Sequence, residues 1–224
     1  MIGGCRRRGK SISARERNIV QDQWLVDGPG EAPLTLLLAH GAGAPMDSPF
    51  MADAAATLAA RGLRVIRFEF PYMAGRREGG KKRPPDRQPV LLDCWRQVAA
   101  SQAGRRFAVG GKSMGGRMAS LIADEVGAAG LVCFGYPFHP PGKPEKLRTE
   151  HLAALKTPTL ICQGERDPFG TAEDVAGYTL SPAIRLHWAP DGNHDLAPRK
   201  ASGRTTEQNW MDAAAAAADF LLAL

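Results

Sequence analysis

The chain has 224 residues, 44% of them hydrophobic and 23% charged, which is enough apolar material for one sizeable core and a single globular domain. The formal net charge is +6, but Arg6, Arg7, Arg8, Lys10, Arg15 and Arg17 against Glu16 put nearly all of it in residues 1–17. The near-neutral body, with 7% aromatics and no RNP, zinc-finger or helix-turn-helix pattern, argues against specific nucleic-acid binding, and the lack of any window of roughly 18 apolar residues argues against a membrane span, signal peptide or anchor.

Residues 1–17 read as a basic tail without fixed structure, followed by one domain over 18–224. A weak strand signal at 18–26 suits an antiparallel edge. Apolar runs of strand length then recur at 34–39, 63–70, 106–110, 130–136, 159–163 and 184–188, with helical patterns at 49–61, 88–103, 114–126, 144–155, 171–178 and 205–224 between and after them. That alternation predicts an α/β fold, a three-layer sandwich around a largely parallel sheet. In the last helix Trp210, Ala214, Ala217 and Leu221 form an apolar stripe, with Thr206 placed to cap its start. The segment 71–89, rich in Gly, Pro and basic residues, reads as the one long loop. Cys5, Cys94, Cys133 and Cys162 are far apart and form no C-x-x-C pair, which suits reduced thiols in a cytoplasmic protein.

Gly111-Lys112-Ser113-Met114-Gly115 fits G-x-S-x-G, and it falls between a predicted strand and a predicted helix. A turn that tight has no room for side chains two residues before and after the serine, and both positions are glycine. A serine hydroxyl needs a base to become a nucleophile, and the base needs a carboxylate to hold its tautomer. Asp167 follows the strand at 159–163 and His194 follows the last strand, giving the chain order Ser, Asp, His. Asp167 is preferred to Asp174, Asp191 and Asp195, and His194 to His40, His151 and His187, which read as core or surface residues. Backbone N–H groups of Met114 and of Ala42, with Gly43 the alternative to Ala42, are candidates for an oxyanion hole. No pair of histidines has metal-ligand spacing beside a carboxylate, so neither metal nor cofactor is expected.

With these residues in hand, the chain from 18 to 224 resembles the α/β-hydrolase superfamily. HGAGAPMDSPFM, GGKSMGGRMAS, GYPFHPPGKPEKLR and QGERDPFG are similar to the small capless branch related to dienelactone hydrolases, which includes the hydrolase-like domains of NSL-complex subunit 3 and testis-expressed relatives. The resemblance implies an eight-stranded, mostly parallel sheet flanked by helices. Dienelactone hydrolases proper use cysteine where this chain has Ser113, a departure that counts against lactone specificity. No inserted block is left over to form a cap, which implies a shallow pocket walled by strand-end loops. Gly43, Lys112, Tyr136 and His139 are the candidate substrate contacts, with Phe50, Tyr72, Met73, Phe138 and Phe169 as further wall residues; Lys112 and the basic 76–87 loop would favour anionic esters. The expected function is a serine hydrolase of small carboxylic esters or thioesters, a monomer or homodimer whose partner is its small-molecule substrate, with kcat/KM rising through an apparent pKa of roughly 6 to 7.5. The alternative is a hydrolase-like binding or scaffold protein without catalysis.

Overall fold

The computed structural model describes residues 24–77 and 79–224. The basic segment 1–17 and most of the strand expected at 18–26 lie outside them. The described part of that strand is β1 (Leu25–Asp27), which pairs antiparallel with β3 (Arg64–Phe68) at the sheet edge. β2 (Thr35–Ala39), β3, β4 (Phe107–Lys112), β5 (Leu131–Phe134), β6 (Thr159–Gly164) and β7 (Ile184–Ala189) are mutually parallel, in the order β1-β3-β2-β4-β5-β6-β7. The described residues thus form seven strands, against the eight that the resemblance implies.

Strand residues alternate between two cores, because successive side chains point to opposite faces. Leu37, Ile66, Val109, Cys133 and Ile161 face one side, covered by α3 (Gln88–Ala100) and α4 (Met114–Ser120). Leu36, Leu38, Val65, Val132 and Leu160 face the other, covered by α1 (Pro49–Ala60) and α6 (Thr206–Leu222). A parallel sheet clothed on both faces explains why the strands read as near-continuous apolar runs. No cap domain is inserted over the strand ends among the described residues, and no described helix is long and apolar enough to cross a membrane.

Four local expectations change. Pro71–Arg77, expected as loop, is a short helix (α2), with Tyr72 and Met73 buried and the Tyr72 N–H donating to Asp86 Oδ2 at 2.9 Å. That tie comes from 14 residues downstream, so no local pattern announced it. The helix expected at 144–155 shrinks to a 3₁₀ turn at Glu150–Ala154 anchored by Leu152, while Leu147 stands in solvent. α4 ends at Ser120 and not at 126; the Ser120 hydroxyl donates back to Arg117 O at 2.8 Å, a local bond that competes with helix continuation. α6 is capped by Thr205 in place of Thr206, because Gln208 stands three residues on and closes a reciprocal capping box. α5 (Ala172–Ala176) is likewise opened by a capping box between Thr171 and Asp174.

Candidate active site

β2, β4, β6 and β7 deliver their carboxyl ends to one edge of the sheet, where crevices of open α/β sheets form. Ser113 sits there between β4 and α4 with φ 51° and ψ −116°. A non-glycine residue in that region stores about 1–3 kcal/mol of strain and persists only where its surroundings over-determine it. Here the Ser113 N–H donates to Phe134 O at 2.9 Å and its carbonyl accepts from Arg117 N–H at 3.0 Å. A Cβ on Gly111 would lie 2.6 Å from Gly115 C and 2.7 Å from Ala39 O, and one on Gly115 would lie 2.5 Å from His40 O. The chain can therefore close this turn only with glycine at both places.

The turn brings Ser113 Oγ to 2.8 Å from His194 Nε2, and His194 Nδ1 lies 2.8 Å from Asp167 Oδ2. Asp167 is fully buried, yet its carboxylate also accepts from Gln163 Nε2 and Phe169 N–H, both at 2.9 Å. Three donors offset the cost of removing a carboxylate from water. With Nδ1–H given to Asp167, Nε2 is left as the acceptor for the serine hydroxyl. Phe169 lies over the imidazole with ring centroids 4.1 Å apart, and His194 keeps one-fifth of its side chain open to solvent.

The His194 loop is held by Asn209 and Asn193, which the sequence did not single out, and by Trp210, which it assigned only to an apolar stripe. Asn209, fully buried on α6, donates to Leu196 O at 2.7 Å and Pro190 O at 3.0 Å, and Trp210 Nε1 donates to Asp195 O at 2.7 Å. Asn193 Oδ1 gathers the N–H groups of Asp195 and Ala197 into a tight turn. Gln163 is the other omission: its Oε1 accepts from Tyr136 N–H at 2.7 Å while its Nε2 reaches Asp167. A glutamine fully buried at a strand end, four residues before Asp167, was the available signal, but only burial makes it informative.

The loop after β2 is braced from beneath. His40 is buried, donating from Nδ1 to Gly41 O at 2.6 Å and accepting the Phe70 N–H on Nε2 at 3.1 Å; burial lowers its pKa, in keeping with a neutral structural ring. Tyr72, expected as a pocket wall, is fully buried, and its hydroxyl donates to Ala42 O at 2.9 Å. Gly41 faces Ser113, with a Cβ there 3.7 Å from the serine Cβ. Among the described residues, the N–H groups of Ala42, Gly43 and Met114 are bonded to no protein acceptor.

Several expected contacts are corrected. Lys112 does not offer its charge to a ligand: it is buried, donating from Nζ to His194 O at 2.6 Å and pairing with Asp195 Oδ1 at 3.3 Å, and desolvation lowers its pKa. Tyr136 is core, its hydroxyl held by Arg148 O and set among Ser120 and His151. His139 is buried with Nδ1 on Pro140 O, and it reaches the site only through its N–H on Phe169 O. Phe50, Met73 and Phe138 are buried in the two cores. In the basic loop Arg77 is paired with Glu69 and Asp47, and Arg83 with Asp86. Of the other aspartates, Asp174 belongs to the α5 capping box. Asp191 is clamped by Arg199 and Arg166; the hydrogen bonds from Arg199 above all, with the charge of Arg166 beside them, hold its carboxyl far below the usual carboxylate range, and Asp195 stands exposed beside Lys112. No three His, Cys, Asp or Glu side chains cluster as a metal set would among the described residues.

Fold, strained serine and hydrogen-bonded row together define a class, and comparison with known proteins agrees. The family described as alpha/beta hydrolase domain matches residues 32–222, and the chain belongs to it. That places it among hydrolases. A lidless α/β serine hydrolase from Xanthomonas campestris is 23% identical, with a TM-score of 0.60 over 76% of this chain and 79% of its own. Dienelactone hydrolase from Anabaena variabilis is 20% identical, with a TM-score of 0.69 over 89% of this chain and 90% of its own. Est1E from Butyrivibrio proteoclasticus is 14% identical, with a TM-score of 0.65 over 89% of this chain and 94% of its own. At such identities these likenesses speak for the fold.

Proposed function

We propose that the protein is a serine hydrolase that cleaves a small carboxylic ester or thioester through an acyl-enzyme on Ser113. The observation that carries the reading is the row Ser113 Oγ, His194 Nε2 and Nδ1, Asp167 Oδ2, with 2.8 Å at each step, at a serine held in a strained turn. In this mechanism Ser113 Oγ attacks the carbonyl carbon while His194 Nε2 takes the hydroxyl proton. The bond to the leaving oxygen or sulfur breaks as His194 returns that proton to it. Water, deprotonated by His194, then attacks the acyl carbon and releases the carboxylic acid with Ser113 restored. Asp167 holds the imidazole tautomer and stabilises the imidazolium. The oxyanion is received by the Met114 and Ala42 N–H groups, with Gly43 as the alternative donor, and what supports this is that these amides are left without protein acceptors beside Ser113.

The same reading places the protein in the cytoplasm, supported by Cys94, Cys133 and Cys162 being free thiols, two of them buried. The test is labelling of the purified protein with a fluorophosphonate probe, read by intact and peptide mass spectrometry. Labelling confined to Ser113, absent in Ser113→Ala and His194→Ala, is the expected result. A well-folded wild type that takes no label overturns the mechanism and favours the non-catalytic binding protein.

A further inference from the structure

Seven arginines in the described residues are at least partly withdrawn from solvent. Arg64, Arg67, Arg76, Arg166 and Arg204 each give the guanidinium a protein acceptor. Arg117 and Arg148 are the two that find no acceptor among the described residues. The Arg117 Nε is sealed from solvent and meets no acceptor. Among the described residues, the groups acting on its charge are the neutral Tyr136 hydroxyl and the like-charged Arg148, with no carboxylate. His151 completes the cluster with Nε2 2.8 Å from Ser120 Oγ, and burial together with Arg117 lowers its pKa to about 4, so it adds no charge at neutral pH.

Withdrawing two like charges from water with no counter-ion is unfavourable unless an anion completes the group. The position of the pair says where such an anion would come from. Arg117 stands on α4 four residues after Ser113, about 6 Å further along the helix axis. Long helical side chains lean back over the preceding turn, which for Arg117 is the turn that starts at Ser113. Arg148 is tied into the same cluster, since its N–H donates to Phe138 O at 2.7 Å and its carbonyl accepts from the Tyr136 hydroxyl.

We propose that Arg117 and Arg148 form an anion subsite that holds a carboxylate or phosphate group at the far end of the acyl chain whose carbonyl Ser113 attacks. The fork of a guanidinium suits such an oxyanion, because two N–H groups meet two oxygens at once. This rests on the hydrolase reading above and gives it a substrate class: anionic esters. It also moves the site of charge recognition from Lys112, whose ammonium is spent on His194 O and Asp195, to the pair Arg117 and Arg148.

The test compares 4-nitrophenyl hydrogen adipate with 4-nitrophenyl hexanoate, which differ by a terminal carboxylate. Wild type favours the adipate in kcat/KM by about tenfold or more, and Arg117→Gln and Arg148→Gln lose that preference, chiefly through KM. Lys82→Gln, on the exposed loop, keeps it. Separately, calorimetry of free adipate with Ser113→Ala finds binding that is lost when Arg117→Gln is added, with folding of each variant checked by circular dichroism. An equal preference in wild type and both arginine variants, or adipate binding that is absent or indifferent to Arg117, overturns the subsite. Failure to label Ser113 and to turn over either ester would sink the hydrolase reading instead, and the calorimetry would still decide whether the arginines bind an anion.

Discussion

Ser113 and His194 meet at 2.8 Å but are held there by opposite means. The serine is fixed by its own backbone: a strained φ, two glycines that let three chain segments touch, and bonds to the adjacent strand and helix. The histidine stands in a loop whose bracing comes from afar, from Lys112 on β4 and from Asn209 and Trp210 on α6. The first arrangement is rigid and intolerant; the second is a set of separable bonds, each of which can be removed with a graded effect. The contrast makes substitutions at the two sides differ in kind.

The largest effect is expected from Gly111→Val. Its Cβ alone would stand 2.6 Å from Gly115 C and 2.7 Å from Ala39 O, backbone atoms that cannot yield singly. Either the elbow opens or the variant fails to fold, and ester turnover falls by at least about a thousandfold, measured alongside circular dichroism. Retained activity would mean that the turn is softer than its contacts imply.

On the other side, Lys112→Met removes the ammonium under the His194 carbonyl and leaves the elbow intact. On the proposed mechanism we expect kcat to fall by about ten- to a hundredfold with KM within about twofold, because His194 is misplaced and not the substrate. The melting midpoint should move little. The lost bonds oppose the relief of a desolvated charge, since burial is the first cause of the lowered Lys112 pKa. The fold binds the lysine proton less well than the unfolded chain, so wild-type stability gains from this group as pH rises toward the usual lysine range, and a matched denaturation series should find that gain missing in the variant. A smaller step is expected from Tyr72→Phe, which frees the carbonyl of Ala42. Loss of that one bond should lower kcat by about five- to tenfold.

How legible each side was in the sequence follows from the same contrast. The elbow, the order Ser, Asp, His and the two-faced parallel sheet could be read because they depend on neighbours in sequence: G-x-S-x-G between strand and helix, apolar runs, polar loop ends. The braces could not, because Gln163 bonds Tyr136, Asn209 bonds Leu196 and Tyr72 bonds Ala42 across 13 to 30 residues. Lys112 misled for a related reason: adjacency to a nucleophile says nothing about which way a long side chain turns, and this one turns inward to the loop of His194. Tyr136 misled because an aromatic at a strand end fits a pocket wall and a core equally well until its hydroxyl partners are known. Thr206 gave way to Thr205 although the deciding residue, Gln208, was in plain view.

The smallest effect lies beyond both sides, in the cluster behind α4. His151 Nε2 stands 2.8 Å from Ser120 Oγ and 3.3 Å from the Tyr136 hydroxyl. Burial first and the charge of Arg117 second lower its pKa from 6.5 to about 4. Between those values the unfolded chain holds a proton that the folded chain refuses, so the stability this group contributes is complete above about pH 6.5 and is lost as pH falls through about 4. Because the ring is only partly buried, solvent screening should reduce the contribution to about 1 kcal/mol. Urea denaturation at pH 7 and pH 4.5 should show wild type losing that much more than His151→Gln, whose uncharged amide can still hydrogen-bond with Ser120. Free adipate at saturating concentration should narrow the difference, since an anion beside Arg117 removes the second of the two causes. A gap between wild type and variant that is the same at both pH values would show that His151 does not titrate in this range, and that Arg117 and Arg148 face a neutral cluster for some other reason.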